Sequence, residues 1–463
     1  MKTIIDIEPG EIIGSGVLPD SMNEETPVWQ LLTNVVIEAA GLGRPLGAQL
    51  ISTVTEPITY IVQQTVMTGT APNQVAQSRA YIAGDTAIWV YNGSSVTLVN
   101  QPWTAGGQPT LETWGDWTVG NNNKDKPKVR KETGSFVDLA GTNFSRCLQM
   151  IRRSPFMLAL GTSDGPTWVR WCSDDNLEDW TVKPENKAGD FAIRDIPGSI
   201  KGGCSLGDSI VIYSTESITL CTFVGLPYIF SFVTTIHGVG IWGPKSVCEV
   251  NRKNYGLGPQ GAFVTDGYQF QLLGDDNFRK WLGRTLDSTR PHDVSVFHNE
   301  FTNTVEYRFP TKQGLWAALY WKLDREKFTT GDLQCNAAIE RDVFSTPLIA
   351  IGTAFCRYTR DVFDWDGVKF ASTMTTKWMD CGTIEFDKFV DHVFVNGQLE
   401  NVDILVEMQD IDQNERIVFI LSDAQRQNFV LEEGHKIRVT LIANGDFHIS
   451  RIRVLGEQAG ASV

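Results

Sequence analysis

Residues 256–261 read Gly-Leu-Gly-Pro-Gln-Gly, the spacing of the glycine fingerprint that cradles a dinucleotide pyrophosphate. That chemistry requires a helix to open behind the loop, so that its N-terminal amides face the anion. Here the chain runs on into Ala262-Phe263-Val264-Thr265-Asp266-Gly267, which reads as a strand and a hairpin. A glycine turn within a sheet is therefore expected, and no cofactor. The six histidines, at 237, 292, 298, 392, 435 and 448, stand apart from one another and from paired cysteines, so they form no zinc set. The nearest approach to a nucleophile elbow is Gly198-Ser199 followed by Ile200-Lys201-Gly202, which has the wrong spacing. Two carboxylates on different repeats of a ring-shaped fold can meet at its axis without any local signature, as glycoside hydrolysis requires. With 55 Asp and Glu residues such pairs arise by chance. The motifs point away from an enzyme.

One basic cluster stands against the acid background: Lys124, Lys126, Lys128, Arg130 and Lys131, after Asn121-Asn122-Asn123. Charge repulsion and the asparagines predict a mobile exposed loop. It would dock on an acidic neighbouring protein, touch phosphates, or simply be solvated. In the run 402–408, Asp403 and Glu407 share one face of an alternating strand while Val402, Ile404, Val406 and Met408 fill the other. These two acids are candidates for an acidic channel wall, or for a face toward outer solvent.

A net charge of −15 and a pI near 4.9 exclude a protein that grips nucleic acid by neutralising phosphates, and leave open one that lets DNA pass. Apolar runs such as residues 31–40 are too short to span a bilayer, so no membrane insertion is expected. The N-terminus, Met-Lys-Thr-Ile-Ile-Asp-Ile-Glu-Pro-Gly, lacks the unbroken apolar stretch of an export signal. Eight cysteines without a CxxC pair read as buried free thiols of a protein made in a reducing cytosol.

The elements that must position these residues are strands. Helical periodicity is nearly absent, and the recurring unit is a short apolar run, a tight turn and another run. Asn92-Gly93, Asp266-Gly267 and Asp366-Gly367 each sit between such runs and predict type I′ turns. Further hairpins are expected at 210–221 and 320–324. Their spacing of very roughly 40 to 60 residues suits the four-stranded blades of a β-propeller, with six to eight blades, over residues 29–372. A β-sandwich also places turns every 8 to 12 residues or so, and the longer period decides for the propeller. Plain alternation without glycine turns follows, predicting an antiparallel β-sandwich over 373–463. Residues 1–28, broken by Gly10, Gly14, Gly16, Pro19 and Pro27, read as an extended arm that needs a partner surface. The expected fold is all-β.

Several stretches together resemble the tail nozzle, or tail hub, proteins of short-tailed bacteriophages. They are residues 168–180 with their tryptophan-rich Ser-Asp turn, Cys204-Ser205-Leu206-Gly207-Asp208-Ser209 and its continuation to 218, and residues 225–232. Gly238-Val239-Gly240-Ile241-Trp242-Gly243-Pro244 and Tyr255-Gly256-Leu257-Gly258-Pro259-Gln260-Gly261 extend the likeness, with weaker echoes at 29–36 and 378–382. None of these is a catalytic motif, and no functional residue transfers one by one. The resemblance implies a structural virion protein at the distal end of a short tail, assembled in the host cytoplasm. It implies a homohexameric ring attached to the tail adaptor, with tail fibre or needle proteins as further partners and genomic double-stranded DNA passing through. The alternative is a carbohydrate-binding or glycan-hydrolysing propeller used in host recognition.

Overall fold

The computed structural model describes residues 2–7, 29–38, 41–69, 74–380, 388–410, 414–421 and 427–458. It is all-β, with 56% of residues in strands and 3% in helix. Seven small sheets succeed one another. Their first strands are Tyr60–Thr68, Thr110–Trp114, Gln149–Arg153, Ile200–Leu206, Val247–Val250, Ser295–Asn299 and Ala337–Ile339, and the sheets are numbered 1 to 7 in that order. In sheets 1 to 6 four strands consecutive in sequence pair antiparallel. Sheet 7 instead takes its fourth strand, Gly47–Thr53, from ahead of sheet 1, antiparallel to Ala354–Thr359. Each first strand lies against the next one, and Ala337–Ile339 returns to Tyr60–Thr68, so the order is cyclic.

The cores explain why the middle strands are continuously apolar. In Ser209–Ser214 of sheet 4, Ile210 and Ile212 join a core with Val169 and Trp171 of sheet 3, while Val211 and Tyr213 join one with Val247 and Phe263 of sheet 5. Both faces are covered, so alternation disappears from the sequence. The same device links sheet 7 to sheet 1, where Leu348 and Phe355 pack with Ile82 and Trp89. The helix Asp276–Thr285, capped by the Asp275 side chain accepting from the Phe278 amide, drops Phe278 and Leu282 into the core between sheets 5 and 6.

The C-terminal strands form two further layers around one core. One layer continues outward from sheet 6: beyond Lys327–Gly331 come Trp29–Thr33, Ser372–Thr376, Lys436–Ala443, Val402–Gln409 and Glu415–Leu421. The other holds Val36–Glu38, Gly41–Gly43, Phe447–Gln458, Lys388–Leu399 and Gln427–Gly434. Val402, Ile404, Val406 and Met408 face Val393, Val395, Ile452 and Val454 across the core. Arg44 clamps this region to sheet 7. Its Nε meets Asp446 at 3.0 Å, its Nη1 donates to the Val362 carbonyl at 2.9 Å, its Nη2 donates to the Arg360 carbonyl, and its guanidinium lies over the Phe363 ring.

Three expectations change. The boundary expected at residue 29 moves, because the strands from Trp29 to Gly43 belong to the C-terminal layers and only Gly47–Thr53 joins sheet 7. Of the expected arm, Lys2–Ile7 is a strand on Phe447–Gln458, and residues 8–28 lie outside the described residues. Among the three turns only Asp366-Gly367 has positive φ at both positions, 56° and 80°. At Asn92 and Asp266 the side-chain carbonyl or carboxylate accepts from amides two and three residues on, closing four-residue loops in which the glycine alone takes positive φ. The three hairpins do lie on separate sheets, 1, 5 and 7.

Candidate functional site

Where the first strands converge they leave a cavity of about 510 Å³, within the range of small-molecule pockets. Sheets 1, 5, 6 and 7 contribute strand residues to its lining, Ser205 comes from sheet 4, and Lys245 comes from the approach to sheet 5. Side chains remote in sequence meet here. His298 Nδ1 stands 3.3 Å from Glu340 Oε2, and neither His298 Nε2 nor the Ser295 hydroxyl has a protein partner. Glu249 Oε1 accepts from the Gly207 amide at 2.8 Å. Lys245 Nζ donates to the Asn336 carbonyl at 3.0 Å, and burial pushes this ammonium down to about 8. Next to this lining, burial raises the Glu112 carboxyl of sheet 2, which accepts from the Thr113 amide at 2.8 Å. Glu112 and Cys204, after burial itself, raise the Tyr60 hydroxyl in turn.

Cys248 lines the cavity, and it and Cys204 are half-buried, whereas Cys147, Cys172, Cys221, Cys335 and Cys356 are buried and Cys381 lies outside the described residues. Burial above all holds the Cys204 and Cys248 thiols well above their ordinary range, followed by the Glu249 and Glu340 carboxylates for Cys204 and by Cys204 and then those carboxylates for Cys248. They are protonated thiols, which are poor nucleophiles. Among the described residues no group of three or more His, Cys, Asp or Glu side chains is placed to hold a metal ion. The cavity can bind a polar ligand by carboxylate, imidazole, hydroxyl and ammonium. Sequence reasoning allowed for acids from different repeats meeting at an axis but set such pairs aside as chance, and Glu249, inside the short strand Val247–Val250, and Glu340, just past Ala337–Ile339, carry no local signature.

The glycines at 256–261 lie in a hairpin between Lys253–Gly258 and Gly261–Thr265, with no helix behind them. Close packing requires them: a Cβ on Gly258 would stand 1.9 Å from the Gly240 carbonyl oxygen, and one on Gly256 would enter the Phe263 ring.

The basic cluster is not a free loop. Lys128–Arg130 is the third strand of sheet 2. Lys128 Nζ pairs with Asp138 at 2.5 Å, and Arg130 donates to the Tyr81 hydroxyl at 2.8 Å and the Gly134 carbonyl. Lys131 pairs with Glu178 at 2.8 Å and covers the Trp117 ring, and Lys124 donates to the Ala105 carbonyl. The preceding asparagines tie the segment down, Asn122 accepting from the amides of Lys124 and Asp125. Local charge density suggested repulsion; the adjacent strand of the same sheet and the sheet 3 segment that carries Glu178 supply the counter-charges.

Asp403 and Glu407 do share the half-buried face of Val402–Gln409. Glu407 is neutralised there, since Arg438 donates to both of its oxygens at 2.7 Å and stacks over Trp378. It offers no unbalanced charge to a channel wall. No described helix is long and apolar enough to cross a membrane. No protein-family model matches the chain, and no curated protein sequence matches it either.

Proposed function

We propose that this chain is a structural virion protein, the distal nozzle or hub of a short phage tail, built as a seven-bladed β-propeller with a β-sandwich behind it. Copies assemble into a ring that attaches to the tail adaptor and conducts the genome. The observation that supports this reading is the cyclic succession of seven sheets, six built on four consecutive strands and the seventh on six strands, continuous through sheet 6 with a two-layered β region. Consecutive blades are what the resemblance in residues 168–267 implies. The axial cavity is not the conduit: about 510 Å³ holds a small molecule, whereas the major groove of duplex DNA alone is about 12 Å wide. DNA passes instead through a lumen enclosed by several copies, and the chain's net charge of −15 keeps that lumen from holding phosphates. Electron microscopy of the purified chain and of particles containing it tests this. A closed six-fold ring at the tail tip is expected, and a monomer absent from particles would overturn it.

A second reading, a glycan-binding or glycan-hydrolysing propeller, is favoured by one observation: Glu249, Glu340 and His298 line the axial cavity together. Glycan binding or hydrolysis abolished by Glu340→Gln would favour it over the nozzle.

A further inference from the structure

Carboxylates in the body of the fold carry their cations with them: Glu306 is bonded to Arg308, Glu407 to Arg438, and Asp164 and Asp190 share Arg170. The two glutamates of the axial cavity do not. Glu249, half-buried, accepts from the Gly207 amide, and Glu340, at the exposed mouth, meets His298, a ring that is cationic only when protonated. Among the described residues neither pairs with a lysine or an arginine. Lys245 of the lining turns its Nζ to the Asn336 carbonyl, with Asp293 as the carboxylate that acts on it. Both glutamates act on the same two thiols, Cys204 and Cys248, so they converge on one side of the cavity.

Sheet 6 adds two polar groups to this lining. Ser295 is only 4% exposed, and its hydroxyl has no protein partner. His298, with Nδ1 toward Glu340, leaves Nε2 without a partner as well. A buried hydroxyl left unbonded, like a carboxylate withdrawn from water without a counter-charge, costs stability that a bound ligand can restore. Val247, Val296 and Ile339 supply apolar lining beside them. A neutral polyol would satisfy the hydroxyl and leave both carboxylates unbalanced. A hard metal ion takes six or more oxygen ligands, and among the described residues no three His, Cys, Asp or Glu side chains are placed to hold one.

We infer that the axial cavity binds a small organic amine as its ammonium, with N–H donors on Glu249 and Glu340 and the carbon chain against the apolar lining. The volume of about 510 Å³ accommodates a short alkyl diamine. The cavity lies within one chain, so its ligand is independent of whether copies close into a ring.

Isothermal titration calorimetry of the full chain tests this with putrescine, and with butanediol, glucose and calcium chloride as the competing chemistries. One putrescine per chain is expected, with butanediol at least roughly tenfold weaker. Glu249→Gln and Glu340→Gln keep the side-chain shape and an acceptor oxygen, and each should weaken putrescine binding at least roughly tenfold. Asp276→Asn removes the same unit of charge where the side chain is 80% exposed and should leave binding unchanged, which separates the site from the general attraction of a chain of net charge −15. Circular dichroism and melting temperature without ligand check each variant, and if one glutamine variant fails to fold the other carries the test. Wild type that shows no saturable putrescine binding, or glutamine variants that lose no more than Asp276→Asn, would overturn the inference. Butanediol or glucose bound as tightly as putrescine would overturn it in favour of a polyol site, and calcium binding lost in the glutamine variants would overturn it in favour of a metal.

Discussion

The strands Ser209–Ser214 and Val402–Gln409 use similar apolar residues, yet the first is buried along nearly its whole length and the second in strict alternation. Sheet 4 lies between sheets 3 and 5 and shares a core with each. The C-terminal layer has one partner layer, and its other face holds Asp403, Glu407 and Arg438. An unbroken apolar run therefore marks a sheet stacked between two others, and alternation marks an outer layer. The difference also governs charge. Glu306 and Arg308, on Thr304–Pro310 of sheet 6, are fully buried and bonded to each other, and Arg308 reaches the Tyr358 hydroxyl of sheet 7 at 3.1 Å. Glu407 and Arg438 keep a path to water.

The largest expected effect separates those two ion pairs. Glu306→Ala leaves the Arg308 guanidinium buried without its carboxylate and should cost about 3–5 kcal/mol in urea unfolding. The double change Glu306→Leu/Arg308→Met should recover most of that loss. Glu407→Ala should cost about 1 kcal/mol or less, because the freed Arg438 can be hydrated. Equal losses at the two sites would break the comparison.

A sharper test uses additivity. Ile212→Ala should cost about 2–4 kcal/mol. Combined with Val211→Ala the two losses should add within about 0.5 kcal/mol although the residues are neighbours, because they enter different cores. Ile404→Ala and Val406→Ala empty space in one core and should couple by about 0.5 kcal/mol or more. Coupling at 211 and 212 would mean that the cores on either side of sheet 4 act as one.

Gly267 sits at φ 89° in the sheet 5 hairpin, and a Cβ there would stand 3.0 Å from Leu206 Cδ2 of sheet 4. Gly267→Val should destabilise the protein by about 1–3 kcal/mol. Valine at Gly367, in the outermost hairpin with nothing within 4 Å of a Cβ, should cost only the backbone strain and so less. The order of the two, read from thermal unfolding, checks whether close packing between successive sheets adds to the turn's own demand.

What was legible in the sequence follows the same division. Local pattern reported the strands, the hairpins on separate sheets and the strand period of the C-terminal layers, because those depend on nearest neighbours. Gly47–Thr53 gave no sign that it completes sheet 7, since its pairing partner Ala354–Thr359 lies some three hundred residues on. Trp29–Thr33 looked like the start of the repeats because a short apolar strand carries no mark of its neighbours, here Lys327–Gly331 of sheet 6 on one side and Ser372–Thr376 on the other. The basic cluster misled for an electrostatic reason: its counter-charges lie outside the run itself, Asp138 on the next strand of sheet 2 and Glu178 between the last two strands of sheet 3, and the Tyr81 that receives Arg130 is on sheet 1. The axial set was invisible because each member is an isolated residue near the edge of a short strand.

The two regions also hold their cations differently. Arg438, on the half-open face, is held above its ordinary value by its hydrogen bond to Glu407. Lys245, beside the axial cavity with a carbonyl as its acceptor, is pushed by burial down to about 8. A lysine whose folded value lies below its unfolded value of about 10.4 binds fewer protons folded than unfolded between the two. Stability must then rise with pH across that window, the penalty being fully present below about 8 and gone above about 10.4. Lys245→Met also loses the bond to Asn336, but that loss adds an offset independent of pH. Wild type should therefore gain stability relative to Lys245→Met as pH rises from 7 to about 10, in paired urea titrations. After ¹³C-methylation of the lysines, the Lys245 resonance should titrate about two units before the others. A flat difference between the two proteins, or a Lys245 resonance titrating with the surface lysines, would mean that water hydrates this ammonium as freely as the open face hydrates Arg438, and the contrast between axis and outer layer would fail for charge while surviving for packing.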